Sequence, residues 1–151
     1  MSESSTAEKN AQENISWAEF GRFYAEQMTL LDEGKTGIWG DTFTEDAIFV
    51  PPNGMPEVQG RAALKAGMDA ALAGLWGAGI VRRHMLTNLN VVALSDGKAQ
   101  ATAYVLIVDS AKGESRISTF MVMRDELHSD GAGWHVSRRV VRRDIDGPPG
   151  S

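Results

Sequence analysis

One histidine in an alternating segment is the residue best suited to acid/base chemistry in this chain. The segment reads Val81-Arg82-Arg83-His84-Met85-Leu86-Thr87-Asn88. Alternate side chains of a β-strand share a face, so His84, Leu86 and Asn88 are predicted to point into one space. This mixture of an imidazole, an aliphatic side chain and a carboxamide is more typical of a pocket than of a core. A neutral imidazole takes and returns a proton near neutral pH.

Other polar side chains are predicted near this histidine. Asp32 lies at the end of the predicted first helix, beside its apolar stripe. Tyr24 lies eight residues earlier, about 80° around a helix axis, so both can border one cavity. Asn88 and Tyr104 are candidates for binding a ligand oxygen. Whether Asp32 reaches His84 distinguishes an enzyme from a protein that only binds its ligand.

The elements that must position these residues begin with a helix. The capping box Ser16-Trp17-Ala18-Glu19 predicts its start, and the helix should run from about Trp17 to Glu33 before Gly34 ends it. Apolar residues at steps of three and four give it an inward stripe: Phe20, Tyr24, Met28 and Leu31.

The later elements are helices followed by strands. We predict a short helix over 36–44, a short strand over 47–50 and an alanine-rich helix over 60–76. Four strands joined by turns are predicted over 81–94, 98–110, 114–128 and 134–144. This order predicts an α+β fold with helices on one face of a strongly curved antiparallel sheet. Residues 15–145 would form one domain, with a mobile arm over 1–14 and a flexible tail over 146–151.

Composition excludes several functions. A chain of 151 residues with net charge −5 is one acidic domain, which argues against nucleic acid as a partner. No apolar stretch approaches the ~20 residues of a membrane span and the first residues are polar, which predicts a soluble, cytoplasmic protein. With no cysteine, no metal-ligand spacing among three histidines and no phosphate loop, we predict no metal and no cofactor.

Large, soft apolar side chains could line a pocket for a ligand. The candidates for contact with it are Trp39, Phe43, Phe49, Met68, Trp76 and Phe120. If they line the pocket, the ligand is a flat, largely apolar, aromatic molecule with a few oxygens. The alternative is that most of them fill the core.

Three groups of motifs resemble the sequences of one protein family. They are Phe23-Tyr24-Ala25 with Asp32-Glu33-Gly34, Trp39 and Phe43-Thr44-Glu45-Asp46-Ala47; Gly60-Arg61-Ala62-Ala63-Leu64 with Arg83-His84-Met85-Leu86-Thr87-Asn88; and Asp125-Glu126-Leu127 with Gly133-Trp134-His135-Val136-Ser137-Arg138-Arg139. In these motifs and in the order of elements the chain resembles the SnoaL-like branch of the nuclear-transport-factor-two-like superfamily. The resemblance implies a cone-shaped α+β barrel around a central pocket and a homodimer packed through the outer sheet surface.

The resemblance also implies a chemistry. His84 would be the general acid/base, Asp32 would orient it, and Tyr24 would donate its hydroxyl to a substrate carbonyl. The implied function is a cofactor-independent enzyme of secondary metabolism, a lyase or isomerase that cyclises or dehydrates a polyketide-like substrate. Dehydratases of this group carry a second histidine on the next strand, and residues 100–108 have none.

Two other functions remain open for the same fold. One is a non-catalytic ligand-binding or accessory subunit similar to the beta subunit of ring-hydroxylating dioxygenases. The other is an enzyme resembling epoxide hydrolases, which needs a water held by an Asp-Arg-Asp arrangement. The sequence offers for it only Asp32 with an arginine such as Arg82 or Arg138.

Overall fold

The computed structural model describes residues 2–94 and 97–150, with side chains described from Trp17 onward. The helices are α1 (Ser2–Asp32), α2 (Thr36–Gly40) and α3 (Arg61–Gly77). The strands are β1 (Phe43–Val50), β2 (Val58–Gln59), β3 (Val81–Ala93), β4 (Lys98–Ala111), β5 (Glu114–Ser129) and β6 (Trp134–Arg143). A 3-10 turn over Asp144–Asp146 follows the last strand.

The predicted order of helices followed by a meander of strands is confirmed. The four long strands agree with their predicted bounds to one residue at each end. Helix α1, however, begins at Ser2, so the capping box at Ser16 does not start it. The predicted mobility of residues 1–14 and of 146–151 stays a prediction, because Met1, Ser151 and the side chains of residues 2–16 lie outside the described residues.

The region between α2 and β2 differs most from the sequence prediction. Helix α2 ends at Gly40 and β1 begins at Phe43, so the predicted helix over 36–44 is too long and the predicted strand too short. The two-residue strand β2 was not predicted, since a pair of residues carries no periodicity.

The strands form one open sheet in the order β2-β1-β6-β5-β4-β3. Strands β1 and β6 pair in parallel, and every other neighbouring pair is antiparallel. The architecture is therefore α+β as predicted, with a sheet that does not close into a barrel. Strand β3 lies at an edge, and α1 packs alongside it.

The core lies between the helices and the inward face of the sheet. On β4 the buried residues alternate: Ala99, Ala101, Ala103, Val105 and Ile107. They belong to one apolar cluster with the stripe of α1, including the fully buried Phe20 and Tyr24. Small alanine side chains on β4 leave space in the core for the larger side chains of this cluster. None of the helices in the described residues is long and apolar enough to cross a membrane.

A β-bulge interrupts the alternation of β3. Asn88 and Leu89 together oppose Ala103, because Thr87 pairs with Tyr104 and Asn90 with Thr102. Asn88 has φ 54°, a left-handed conformation that asparagine tolerates better than most residues. Before the bulge the partly buried residues are at even positions, and after it they are at odd positions. The strict alternation predicted through Asn88 is therefore wrong.

Candidate active site

Asp32 and His84 form a close pair between the end of α1 and the edge strand β3. The ring Nδ1 of His84 lies 2.6 Å from Oδ1 of Asp32. The backbone N–H of His84 also donates to the same carboxylate, at 3.1 Å to Oδ2 and 3.3 Å to Oδ1. At a sheet edge such an N–H has no neighbouring strand, so the carboxylate satisfies it. With Nδ1 bonded to an acceptor, the neutral ring carries its proton there and leaves Nε2 as the basic nitrogen.

The end of helix α1 fixes where the carboxylate lies. Gly34 adopts φ 76°, and its N–H donates to the carbonyl of Leu31 at 3.1 Å. The N–H of Lys35 donates back to the carbonyl of Leu30 at 2.9 Å, which closes the helix in a Schellman-type cap. The predicted helix end at Gly34 is confirmed. A side chain at position 34 would overlap the ring of Trp76, so only glycine fits.

The pair borders a cavity of about 580 Å³ between α1 and β3. Helix α1 contributes Trp17, Gly21, Tyr24, Ala25, Met28, Thr29 and Asp32, and β3 contributes His84, Leu86, Thr87, Asn88 and Leu89. The side chain of His84 is 17% exposed and that of Asp32 is 8% exposed. The imidazole is therefore reachable from the cavity, while the carboxylate behind it is nearly buried.

The bulge brings an amide to the cavity wall. Thr87 Oγ1 donates to Oδ1 of Asn88 at 3.1 Å. This contact occupies the carbonyl oxygen and leaves the Nδ2 amino group to donate to a ligand oxygen. Although Asn88 has left the inward row of side chains, it still borders the cavity as predicted.

Tyr24 is part of a buried polar network. Its hydroxyl donates to Oδ2 of Asp125 at 2.7 Å, and Arg139 binds both carboxylate oxygens of Asp125 at 2.7 and 2.8 Å. Arg139 also donates to Gln27 Oε1 at 2.5 Å. Burial, and then the negative charge of Asp125, raise the pKa of the Tyr24 hydroxyl. The Tyr24 ring borders the cavity, but its proton already has an acceptor, so its predicted role as donor to a substrate carbonyl is not supported.

The network holds α1 in register with the sheet. Tyr24 and Gln27 come from the helix, whereas Asp125 and Arg139 come from β5 and β6. Burial alone would lower the pKa of Arg139, but its contacts with Asp125 raise it, so the guanidinium stays charged. Asp32 lies about 12 Å further along the same helix, so the network helps to set its position. Sequence reasoning missed Asp125 and Arg139, although alternation with buried Met123 and Leu127 placed Asp125 inward.

The other residues predicted to contact a ligand lie away from this cavity. Trp39 and Phe43 are completely buried in the core, with ring centroids 4.8 Å apart. Tyr104 lies on the outward face of β4, is 42% exposed, and has its ring 5.5 Å from that of Phe120. Three further candidates do not line the cavity either: Phe49, Met68 and Trp76. Contact of these side chains with a ligand in this cavity is not supported, because residue type alone does not reveal which face a large side chain occupies.

Arg82 shares the inward face of β3 with His84 but pairs elsewhere. It binds both carboxylate oxygens of Asp109 on β4, each at 2.8 Å. Its hydrogen bonds hold the pKa of the Asp109 carboxyl below the usual range. Arg138 lies 3.9 Å from Glu57. Neither arginine pairs with Asp32, so the Asp-Arg-Asp arrangement of the epoxide hydrolase alternative is not assembled around it.

The open sheet and the covering helices define an α+β protein with the NTF2-like, cystatin-like fold. An NTF2-like protein with a cystatin-like fold from Novosphingobium aromaticivorans superposes with a TM-score of 0.80 at 22% identity, over 93% of this chain and 89% of that one. This match concerns the fold alone. The chain belongs to the SnoaL-like domain family, whose model matches residues 16–140.

Two solved structures are more similar in sequence. A protein from Catenulispora acidiphila in complex with S-DNPA is 28% identical, with a TM-score of 0.79 over 88% of this chain and 96% of that one. Aln2 from a Streptomyces species is 26% identical, with a TM-score of 0.78 over 87% of this chain and 92% of that one. No curated protein matches the chain.

Proposed function

We propose that this protein is a cofactor-independent acid/base enzyme of secondary metabolism that cyclises, or dehydrates, a polyketide-like substrate. The observation that carries the proposal is the 2.6 Å contact between His84 Nδ1 and Asp32, with the ring on the wall of the cavity. The binding-only alternative would predict a separated pair. Membership of the SnoaL-like family and the small molecule held by the relative from Catenulispora acidiphila support the substrate class.

His84 begins the proposed reaction as a base. Its Nε2 takes a proton from a methylene carbon that lies between two carbonyl groups, and the C–H electron pair becomes the enolate. The amide of Asn88 donates to the enolate oxygen, which lowers the energy of the developing charge. Asp32 holds the ring and stabilises the imidazolium that forms.

The same proton completes the reaction. The enolate carbon attacks a third carbonyl carbon of the substrate, separate from the two beside the methylene, and forms a C–C bond. The new alkoxide takes the proton back from Nε2 of His84. Removal of a second α-proton, with protonation of the hydroxyl as it leaves, would convert this aldol product into the dehydrated ring. One imidazole that alternates between base and acid is sufficient for both steps, since each step returns the proton it borrows.

Proton exchange at carbon tests the proposal without knowledge of the natural substrate. Neutral aryl 1,3-diketones are incubated with the protein in D₂O, and loss of the methylene signal is followed by NMR. We expect the wild-type protein to accelerate exchange and the His84→Ala variant to lose that acceleration by about 10²–10⁴-fold. Lys98→Ala is the matched surface control, since Lys98 is exposed at the opposite end of β4 from Ile107, the partner of His84.

Equal exchange by wild type and His84→Ala would overturn the assignment. Binding of a diketone with no acceleration by the wild-type protein would favour the accessory or ligand-binding alternative. We also propose, from the polar first residues, that the protein is cytoplasmic and, from the family resemblance, that it is a homodimer. Light scattering of the purified protein would test the dimer.

A further inference from the structure

We infer that the cavity is a long slot for a neutral, elongated ligand that is held at one end by Trp17 and reacts at the other end beside His84. The inference rests on the proposed function and extends it to substrate shape and charge. Trp17 was predicted only as the first residue of a helix, and its side chain is 55% exposed while lining the cavity. A large apolar side chain that is both exposed and part of a cavity wall is suited to ligand contact.

The length of the slot follows from the two elements that form it. Trp17 and Asp32 both border the cavity on one helix, and fifteen residues of α-helix rise about 22 Å. On the opposite wall His84 and Leu89 are separated by about 16 Å of strand. Asp32 contacts His84, so the chemistry lies at one extreme of the slot.

The volume and the length together indicate a shallow, elongated slot. A cavity of about 580 Å³ spread over roughly 16–22 Å has a mean cross-section of about 25–35 Å². Such a section matches one ring system that lies flat along the slot. The tail of the ligand would then extend over Met28 and Leu86 toward Trp17, away from the reacting carbon.

The charge of the walls restricts the ligand further. The described residues that line the cavity include no lysine or arginine, and Asp32 is the one acidic residue among them. A carboxylate on the ligand would lose water and find no cation there, at a considerable cost in free energy. Thr29, Thr87 and Asn88 instead offer neutral hydrogen bonds to carbonyl and hydroxyl oxygens.

A length series tests the inference by calorimetry. The ligands are neutral 1,3-diketones that carry one, two or three linearly fused aromatic rings, and a three-ring analogue with a carboxylate at the far end. We expect Trp17→Ala to weaken binding of the three-ring ligand about ten-fold and that of the one-ring ligand less than about two-fold. Trp17→Phe should restore most of the affinity, since it keeps an aromatic ring at this position.

Met55→Ala is the control, since Met55 is 60% exposed and does not line the cavity. Equal loss of affinity for short and long ligands in Trp17→Ala, or no loss for either, would overturn the position of the ligand. If the three-ring analogue with a carboxylate binds as tightly as the neutral ligand or more tightly, the inferred neutrality of the ligand is overturned. If no member of the series binds, both its position and its neutrality are overturned. If affinity follows ligand length but no ligand exchanges its protons, the slot stands and the proposed catalysis fails.

Discussion

Replacement of Asp32 by asparagine separates the chemistry of the site from its shape. Asparagine has nearly the size of aspartate, but it has one acceptor oxygen instead of two and carries no charge. In the native protein both carboxylate oxygens are used, by Nδ1 and by the backbone N–H of His84. If the amide oxygen keeps the backbone contact, its amino group faces Nδ1 and favours the tautomer with the proton on Nε2.

The expected slowing of exchange follows from two losses, that of a hydrogen bond to a charged group and that of the correct His84 tautomer. A hydrogen bond to a charged group contributes about 1.5–3 kcal/mol, which is a factor of about 10–150 once the imidazolium forms. The wrong tautomer of His84 directs its proton, not its lone pair, at the substrate, and in a Ser-His-Asp site that change costs about 10⁴-fold. We therefore expect Asp32→Asn to slow diketone exchange by about 10²–10⁴-fold.

The stability of the fold should fall only moderately. The carboxylate lies at the C-terminal end of α1, where a negative charge is unfavourable by about 0.3–1 kcal/mol. Removal of that charge offsets part of the loss of a hydrogen bond to a charged group, which is about 1.5–3 kcal/mol. The melting temperature should then fall by no more than about 10 °C.

The assay compares wild type, Asp32→Asn and Asp41→Asn. Asp41 forms an exposed salt bridge with Lys65 at 2.7 Å, so its replacement controls for the change of charge. Nitrogen-15 NMR of the His84 ring reports the tautomer directly. Exchange by Asp32→Asn within about three-fold of wild type, a difference under about 0.7 kcal/mol, would refute the orienting role of Asp32.

Three other substitutions test the supporting structure. Tyr24→Phe should lower the free energy of unfolding by about 1–3 kcal/mol, measured by urea titration, because Asp125 loses a buried donor; turnover at saturation should stay close to wild type. Gly34→Ala should cost at least about 1–3 kcal/mol in the same titration and also slow exchange, because φ 76° and the ring of Trp76 both oppose a side chain there. Asp109→Asn should flatten the acid side of the stability profile. A carboxyl with a lowered pKa stabilises the fold when ionised, so wild type loses this contribution as the pH falls below about 4.

Each of these three predictions has a result that would contradict it, and Gly34→Ala also has a matched control. Gly54→Ala, at φ 67° but with open space around the position, isolates the overlap with Trp76; equal costs at both glycines would remove the packing argument. A strong loss of exchange at saturation in Tyr24→Phe would return the tyrosine hydroxyl to the reaction. Parallel acid profiles for wild type and Asp109→Asn would show that its ion pair does not stabilise the fold.

Much of the fold followed from periodicity and from turn chemistry. Glycine-containing turns divided the second half into four strands, each predicted to one residue, and the helical spacing of Phe20, Tyr24 and Leu31 identified the buried face of α1. Both signals are local, since they depend on residues a few positions apart. The early start of α1 was missed because a capping box can also occur inside a helix.

The candidate site was predictable in part. Asp32 before the helix-ending Gly34, and His84 in an alternating strand, both followed from local patterns. Their contact did not, because the two residues are separated by 52 positions and meet only through the packing of α1 along an edge strand. The family resemblance supplied this pairing as an expectation, and the geometry of the folded chain supports it.

The sequence by itself determined the class of fold, the order of its elements and the one histidine suited to proton transfer, because residue type and short-range period carry that information. Only the tertiary structure decided which faces meet. In the folded chain Tyr104 and Phe120 lie on the outward face of the sheet, and the Tyr24 hydroxyl belongs to a buried network. Trp17 lies on the cavity wall. The reason is physical: strand order, a bulge at Asn88 and helix register are set by contacts between distant residues, and no local pattern records them.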